Sequence, residues 1–288
     1  MRLHPTSVPD LRVGYTQIVE EVLHNGSPAS PRGYRTWEIE DACFQVEDTT
    51  RVLPVGVGRG IKPEIGAAES LLLCAGLASP SLLVSASGAF RRFVDGGVLH
   101  GAYGPRVRPQ MDTVVRRLTS DRDSRQAVVQ VWDPLYDQTD TRDLPCTLGF
   151  GFRLRDDGLH LSTTMRSQDV ILGLAYDGFM FCQLGWTVAN VLGVELASWR
   201  HHAYSLHVYE RNLDLAERLG PTDGETDVTE PLGFRGETYE EARGRAELVY
   251  NTTPGAAGPL DQYSADERWY ITTLAGCDRL TSKSNFES

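Results

Sequence analysis

Lysine is almost absent from this 288-residue sequence. Only Lys62 and Lys283 occur, so 26 of the 28 basic residues are arginine. Arginine supplies bidentate ligands for phosphate wherever several lie close together. The formal net charge is −11, which argues against general binding to nucleic acids or anionic membranes, because such proteins present a basic surface. We therefore expect neither kind of partner, and an anionic substrate would require arginines gathered locally.

Closely spaced cysteines and long hydrophobic runs are also missing. The five cysteines stand at positions 43, 74, 146, 182 and 277, without a Cys-x-x-Cys pair. This spacing is that of neither a disulfide framework nor a zinc site, and we expect no bound metal. The most apolar run, residues 178–194, is too short and too polar to cross a bilayer. With no signal sequence at the N-terminus, the chain is predicted to be a cytoplasmic enzyme or binding protein.

The pattern of apolar residues predicts a mixture of helices and strands. Residues 63–77 are typical of a helix that begins at a proline, and Glu69 falls on its apolar stripe. Residues 125–134 are rich in β-branched side chains and end in Asp-Pro, which favours a strand. Residues 200–220 are typical of a strand, a turn and an amphipathic helix. Beyond them the chain is acidic and rich in glycine and proline, and its structure is left open.

A β-hairpin is predicted directly after Cys146. Apolar residues alternate strictly over residues 148–154, the period of a half-buried strand. Asp157-Gly158 is a strong signal for the turn, and the second strand ends before Arg166. Folding about this turn brings Cys146 and Arg166 to the same end of the hairpin. A nearby guanidinium would lower the pKa of the thiol and favour a nucleophile, although most isolated cysteines are small buried hydrophobic residues.

Two carboxyl groups stand on apolar elements. In the stretch RSQDVILGLAYDGF, residues 166–179, Asp177 opens an apolar helix predicted over residues 178–193. A charge there is costly unless it is paired, protonated or used in chemistry. Asp177 therefore either caps the helix, as aspartate commonly does, or has a chemical role. Glu69 leaves a similar choice between an ion pair at a rim and a buried group that transfers protons.

Taken together, these residues resemble the thymidylate synthase family. The resemblance covers residues 60–215 and is carried by the blocks DSRQAVVQVW, LPCT, RSQDVILGL and LHVYERN in that order. Tyr103-Gly104 and Glu69 fit the same sequence of motifs. The resemblance implies an α+β fold with a twisted mixed β-sheet flanked by helices, and a two-fold homodimer formed through the sheet.

The resemblance also implies how the chain is organised. It predicts a single domain over residues 1–288 with a recognisable core at 60–215. Residues 1–60 would form an N-terminal arm with a phosphate loop, and residues 220–288 would form a divergent C-terminal region. The C-terminal sequence GCDRLTSKSNFES does not resemble the apolar tail that closes the synthase site.

The resemblance implies a role for each matching residue. Cys146 would be the nucleophile that adds to C6 of a pyrimidine nucleotide, and Glu69 would organise water and protons around the base, with Tyr103 in the same catalytic set. The remaining groups would bind substrates. His207 and Tyr209 would contact the sugar, and Asp169 would contact the folate. The phosphate would be bound by Arg166, Ser167, Arg125 acting in the other subunit, and Arg32 or Arg35.

Several positions depart from the synthase pattern. Thr147 stands where synthases usually have histidine, and Gln126 stands where a second arginine is common. Asp177 stands where an asparagine reads uracil. A protonated carboxyl group offers a donor to N3 and an acceptor to the 4-amino group of cytosine, whereas a carboxylate would repel O4 of uracil. The sequence therefore resembles the cytidylate hydroxymethylases, in which Glu69 would orient the water that adds to the one-carbon unit.

We predict a CMP 5-hydroxymethylase that uses 5,10-methylenetetrahydrofolate. The preference for CMP over dCMP is based on the arginine bias, which is typical of high-GC bacteria, and on a likeness to the hydroxymethylases of nucleoside-antibiotic (mildiomycin-type) pathways. It is also based on Ala175, which stands where synthases carry proline. The alternatives are a dCMP hydroxymethylase, a synthase or hydroxymethylase acting on a uridylate, and a relative that binds nucleotide or RNA without turnover.

Overall fold

The computed structural model describes residues 5–56, 58–220, 230–253 and 260–277, and every structural statement below concerns these residues. Most of the C-terminal segment considered above, residues 278–288, lies outside the described residues.

A mixed, twisted β-sheet forms the centre of the fold. Its order is β1-β3-β8-β6-β5-β4, with β2 paired to β3 and β7 paired to β8. The pairs β1–β3, β6–β8 and β7–β8 are parallel, and the others are antiparallel. The strands are β1 (Thr6–Val8), β2 (Ser27–Ala29), β3 (Thr36–Val46), β4 (Val128–Gln130), β5 (Thr147–Arg155), β6 (Gly158–Met165), β7 (Gln168–Asp169) and β8 (Leu196–Tyr209).

Helices flank this sheet. Helix α5 is apolar nearly all round, and it packs against β6, β8 and α2, with most of its side chains buried. The helices are α1 (Leu11–Asn25), α2 (Pro63–Ala75), α3 (Pro80–Ala86), α4 (Tyr103–Ser120), α5 (Leu174–Leu192), α6 (Leu213–Glu217), α7 (Tyr239–Thr252) and α8 (Ala265–Thr273). Within the described ranges, none of them combines the length and apolar composition needed to cross a bilayer.

The predicted hairpin is confirmed, with a shifted turn. Strands β5 and β6 pair antiparallel, and the main-chain N–H of Arg166 donates to the carbonyl oxygen of Cys146 at 2.8 Å. The two turn residues are Asp156 and Asp157, one position earlier than predicted. Gly158 already belongs to β6, and its φ of +131° is a conformation that favours glycine.

A β-bulge interrupts the strict alternation predicted at the start of β5. The register shifts between Thr147 and Gly149, so Leu148 is the extra residue. Thr147 and Phe150 are therefore both buried, whereas Leu148, predicted on the buried face, is only half-buried. The bulge also ends the neighbouring strand, because two successive N–H groups after β4 donate to the Leu148 carbonyl. Strand β4 therefore ends at Gln130, short of the predicted residue 134, and it begins at Val128 instead of residue 125.

The helix associated with Asp177 begins earlier than predicted. It starts at Leu174, with Gly173 at the N-cap position and no side-chain cap. Asp177 therefore lies inside the first turn, and its carboxyl group bonds to Gln168 instead of capping main-chain N–H groups. The interpretation of Asp177 as a helix cap is wrong.

The region after residue 200 also differs in part from the prediction. Strand β8 is longer than predicted at its start, and α6 has only five residues because Gly220 and Pro221 follow closely. The segment beyond residue 230, left open by the sequence, contains α7 and α8. A buried ion pair ties this segment to α1: Arg12 Nη2 lies 2.8 Å from Glu230 Oε1.

Candidate active site

The Cys146 thiol lies at the hairpin end, immediately before β5. Burial raises the pKa of this thiol, the positive charges of Arg166 and Arg32 oppose the increase, and the carboxyl groups of Asp177 and Asp143 add to it. The net shift is upward, so the expected decrease in the pKa of Cys146 is wrong for this structure. Arg166 favours the thiolate as predicted, but burial has the larger effect.

Main-chain carbonyl groups hold the Arg166 side chain in place. Its Nε donates to the carbonyl oxygen of Pro145 and its Nη2 to that of Leu144, each at 3.0 Å. The guanidinium also lies 5.9 Å from the centre of the Trp132 ring. Neither Nη1 nor the hydroxyl of half-buried Ser167 has a protein partner in the described part of the chain. Both groups are therefore available to an anionic ligand.

The structure separates the two candidate arginines of the N-terminal loop. Arg32 adopts a left-handed conformation with φ of +52°, and it is close enough for its charge to lower the pKa of Cys146. Arg35 instead pairs with exposed Glu210 at 2.9 Å and lies 6.0 Å from the centre of the Trp37 ring. Of the two, Arg32 is the one that the fold brings to the thiol.

Three further side chains surround the same space as Cys146. The Tyr103 hydroxyl accepts a hydrogen bond from the Thr147 N–H at 3.3 Å. Burial raises the pKa of Tyr103, and the neighbouring Cys146 and Asp177 add to this increase. Burial likewise raises the pKa of Glu69 well above its usual range, with Asp177 as the second cause. Among the described residues, the Glu69 carboxyl has no hydrogen-bond partner, which leaves it available to water or a ligand.

The two oxygens of Asp177 have different surroundings. Oδ2 accepts a hydrogen bond from Gln168 Nε2 at 2.8 Å, whereas Oδ1 has no partner in the ranges that the structure describes. The pKa of Asp177 is raised to about 6. Burial is the largest cause, the hydrogen bond from Gln168 opposes the increase, and the charge of Asp169 adds to it. The sequence did not single out Gln168, because its role depends on where the helix after it begins.

Asp169 lies on β7 beside this group. Its Oδ1 accepts hydrogen bonds from the N–H groups of Ile171 and Leu172 at 2.8 and 3.0 Å. Its Oδ2 has no protein partner within the described segments. This free oxygen fits a ligand that presents N–H donors, as expected for a folate ring.

A cluster of aromatic and basic residues near Asp169 was not predicted. Arg59 Nη1 donates to the Tyr15 hydroxyl at 3.3 Å, and its guanidinium lies 5.0 Å from the centre of the Tyr176 ring. Burial raises the pKa of Tyr15, Arg59 lowers it, and the charge of Asp169 raises it. These residues are far apart in the sequence and carried no motif there.

The predicted sugar ligands lie together on β8. His207 is buried, and its ring meets that of Tyr209 edge-on at 5.0 Å. In the strand register, His207 on β8 lies opposite Asp169 on the adjacent strand β7. The ring of Tyr209 also meets that of Tyr34 in the N-terminal loop edge-on, with 6.4 Å between the ring centres. Arg125, by contrast, is exposed and has no partner in the described part of its own chain.

Fold and site together define an α+β protein with a central mixed sheet and a partly buried thiol placed among arginines and carboxyl groups. Comparison with protein families then identifies it more closely. The model of the family described as "Thymidylate synthase" matches residues 13–220, more than half of the chain. The chain belongs to the thymidylate synthase family.

Similar proteins include two from bacteriophages named deoxyuridylate hydroxymethyltransferase. The one from Bacillus phage SP01 is 33% identical over 216 residues, which cover 68% of this chain and 56% of the phage protein. The one from Pseudomonas phage M6 is 36% identical over 129 residues, or 42% of this chain and 36% of that protein. A Methanothermobacter thermautotrophicus protein, provisionally named a thymidylate synthase, is 28% identical over 74% of this chain and 96% of its own length. The chain spans little more than half of the SP01 protein.

Proposed function

We propose that the chain is a CMP 5-hydroxymethylase of the thymidylate synthase family. CMP, 5,10-methylenetetrahydrofolate and water would give 5-hydroxymethyl-CMP and tetrahydrofolate. The names of the two phage relatives support a hydroxymethyl transfer. The choice of cytosine rests on one observation, the carboxyl group of half-buried Asp177 near the thiol.

The surroundings of Asp177 suit a cytosine ring. Because burial raises its pKa to about 6, a minority of the carboxyl groups, about a tenth, is still protonated at pH 7. A protonated carboxyl group donates to N3 and accepts from the 4-amino group, which matches cytosine and mismatches uracil. The free Oδ1 would carry the proton to N3.

Cys146 would begin the reaction. Its thiolate adds to C6, the C5–C6 double bond opens, and C5 becomes a carbon nucleophile. Electron density builds on the N3–C4 side of the ring, where a proton from Asp177 stabilises it. Because burial raises the pKa of the thiol, Arg166 is needed to stabilise the thiolate when the nucleotide binds.

The one-carbon donor fits residues near Asp169. The free Oδ2 of this residue would accept from N–H groups of the folate. When bound, methylenetetrahydrofolate supplies the carbon that becomes the hydroxymethyl group. Glu69, whose carboxyl has no protein partner in the described ranges, would orient the water that adds to this carbon.

Arginines from both subunits would bind the 5′-phosphate. Arg166, Ser167 and Arg32 come from the same chain as the thiol, and Arg125 would come from the other subunit of a two-fold homodimer. The exposed Arg125 supports this arrangement. Along the strands, half-buried residues alternate with the buried ones and form the other face of the sheet. This face is the proposed dimer interface.

The assignment of ribose and the domain organisation are further proposals. His207 and Tyr209 would contact the sugar of CMP. Ala175, fully buried in the first turn of α5, would leave the main chain freer beside the 2′-hydroxyl than proline would. The chain would form one catalytic domain, which is supported by a single hydrophobic core that contains residues from Val8 to Cys277. A nucleoside-antibiotic pathway would be its setting.

The second candidate function is a hydroxymethylase that acts on dUMP. The names of the phage relatives favour it, since both specify deoxyuridylate. The two candidates differ in the base and the sugar, and they share the thiol chemistry.

Release of tritium from C5 tests these candidates together. Wild-type protein is incubated with methylenetetrahydrofolate and C5-tritiated CMP, dCMP, UMP or dUMP, and the products are identified by mass spectrometry. The proposal predicts the highest kcat/KM for CMP and a 5-hydroxymethyl product. Asp177→Asn should lose cytidylate activity and gain exchange with a uridylate. A wild-type preference for dUMP would support the second candidate, and no release from any nucleotide would indicate a binding protein.

A further inference from the structure

Gln168 is a buried polar residue that the mechanism above does not use. Its side chain is 1% exposed, and it lies on β7 next to the first turn of α5. Its Nε2 donates to Asp177 Oδ2 at 2.8 Å and approaches the Asp169 carbonyl oxygen at 3.4 Å. Its Oε1 is buried without a partner in the described residues.

These contacts select one orientation of the Gln168 amide. In the observed orientation, both hydrogens of Nε2 point towards oxygens. Turning the amide over would place Oε1 against the Asp169 carbonyl oxygen, and it would leave the NH₂ group buried without acceptors. An unpaired buried donor is costly, and two facing acceptors repel each other. Gln168 therefore acts as a fixed donor towards Asp177.

A fixed donor decides which oxygen of Asp177 carries a proton. Oδ2 cannot be protonated on the side of Gln168 without placing two hydrogens between the same heavy atoms. Oδ1 has no partner among the residues that the structure describes, so it is free to carry the proton and to face a ligand. We propose that Gln168 is a positioning residue that directs the proton of Asp177 to Oδ1 and so sets the preference for cytosine. This inference rests on the proposed function for the identity of the base.

Gly173 provides the space in which this pair forms. A Cβ atom at this position would lie 2.7 Å from Gln168 Nε2 and 2.9 Å from Asp177 Oδ2. Both atoms are at the ends of flexible side chains, whereas the third neighbour, the main-chain oxygen of Asp169 at 3.1 Å, would have to shift slightly. Alanine would therefore push the pair apart, and the variant is checked for folding before it is titrated. Gly173→Ala is therefore a second way to break the pair while both groups remain present.

Other ionisable groups also face Asp177, and they must be kept constant. These are Glu69 on α2, Tyr103 on α4, the Cys146 thiol before β5 and Asp169 on β7. Changes at Gln168 leave all four in place. A change in the titration of Asp177 would then be due to the lost donor.

The first test measures the carboxyl group directly. Protein labelled with ¹³C at the aspartate carboxyl carbon is titrated by NMR, and the Asp177 signal is assigned with Asp177→Asn. Gln168→Met keeps the length of the side chain but removes the donor. Because the donor stabilises the ionised carboxylate, the pKa of Asp177 should rise in Gln168→Met and in Gly173→Ala. Folded variants that both titrate like the wild type would overturn the proposal.

The second test measures the preference for the base. In Gln168→Met, kcat/KM for tritium release from CMP relative to UMP should fall at least tenfold, or about 1.4 kcal/mol, when both proteins are compared below the pKa of Asp177, where the carboxyl group is protonated in each. The alkaline limit of kcat/KM for CMP should move to higher pH. Gln183→Met is the matched control, since Gln183 is a buried glutamine of α5 that bonds to the main chain of residues 231 and 233 instead. It should change neither readout.

The two tests separate this inference from the proposed function. A wild-type enzyme that prefers a uridylate contradicts the proposed function, while the NMR titration still decides whether Gln168 controls the carboxyl group. A wild-type enzyme that prefers CMP, with the preference and pH limit retained in Gln168→Met, overturns the role of Gln168 alone.

Discussion

Replacing Asp177 by asparagine should make the fold more stable at high pH. The carboxyl group is buried, and its pKa is raised from an ordinary value of 3.8 to about 6. A carboxyl group whose pKa rises on folding binds its proton more tightly in the folded state. Stability is therefore lost as the pH rises from 3.8 towards 6, and the loss is complete above that range. Asparagine carries no charge, and its side-chain oxygen can still accept the bond from Gln168.

The size of the effect follows from the two pKa values. Each tenfold change in the ionisation constant corresponds to about 1.4 kcal/mol, so the ionised Asp177 costs about 3 kcal/mol at pH 8. At pH 4 the same calculation gives less than about 1 kcal/mol, because the folded carboxyl group is then protonated. The gain from Asp177→Asn should grow by about 2 kcal/mol or more between these pH values. Relief of the repulsion with Glu69 acts in the same direction.

Urea denaturation at pH 4 and pH 8 measures this difference. The free energy of unfolding is compared for the wild type, Asp177→Asn and the control Asp157→Asn. Asp157 is exposed, and the hydrogen bond with His160 lowers its pKa, so its replacement should give no gain that grows with pH. A gain for Asp177→Asn that is equal at both pH values would refute the reasoning. It would mean that Asp177 is not held in a costly ionised form.

Three further changes should have separate effects. Cys146→Ala should bind CMP in calorimetry yet release no tritium from C5, and residual release would exclude the thiol as nucleophile. Arg32→Ala should raise KM for CMP about tenfold or more, since a hydrogen bond between charged groups contributes about 1.5–3 kcal/mol. Arg35→Ala should change KM less than about twofold. Equal effects of the two substitutions would contradict the different positions of these arginines. Arg12→Leu should lower the free energy of unfolding by about 3–5 kcal/mol, because it removes the ion-pair partner of the buried Glu230 carboxyl, which then keeps, among the described residues, only the N–H groups of Val52 and Leu53. A urea midpoint unchanged from the wild type would contradict this last expectation.

The sequence predicted the parts of the site that depend on local patterns. Alternating apolar residues and a turn signal were enough to bring Cys146 and Arg166 to one hairpin end, because both strands are adjacent in the chain. The family motifs predicted the mixed sheet flanked by helices. The roles assigned to the individual site residues remain predictions.

The remaining features depend on contacts between distant parts of the chain. The bulge at Leu148 could not be predicted, since the sequence there alternates as a regular strand would. The pairing of Gln168 with Asp177 depends on a helix that begins at Leu174, earlier than the apolar run indicated. The raised pKa of Cys146 results from burial by several elements, and no neighbouring residue in the sequence reports it.

The bulge at Leu148 has a consequence for changes in chain length. Thr147 pairs with Met165 on one side of the bulge, and pairing resumes at Gly149 on the other. After deletion of Leu148, the side chains before and after the bulge would therefore still point to the same faces of the sheet. The orientation of the Cys146 thiol would also be kept. The deletion would remove the carbonyl group that accepts from the N–H groups of Val131 and Trp132. Since the centre of the Trp132 ring lies 5.9 Å from the Arg166 guanidinium, a one-residue deletion would loosen the surroundings of Arg166, the proposed phosphate ligand, while sparing those of Cys146.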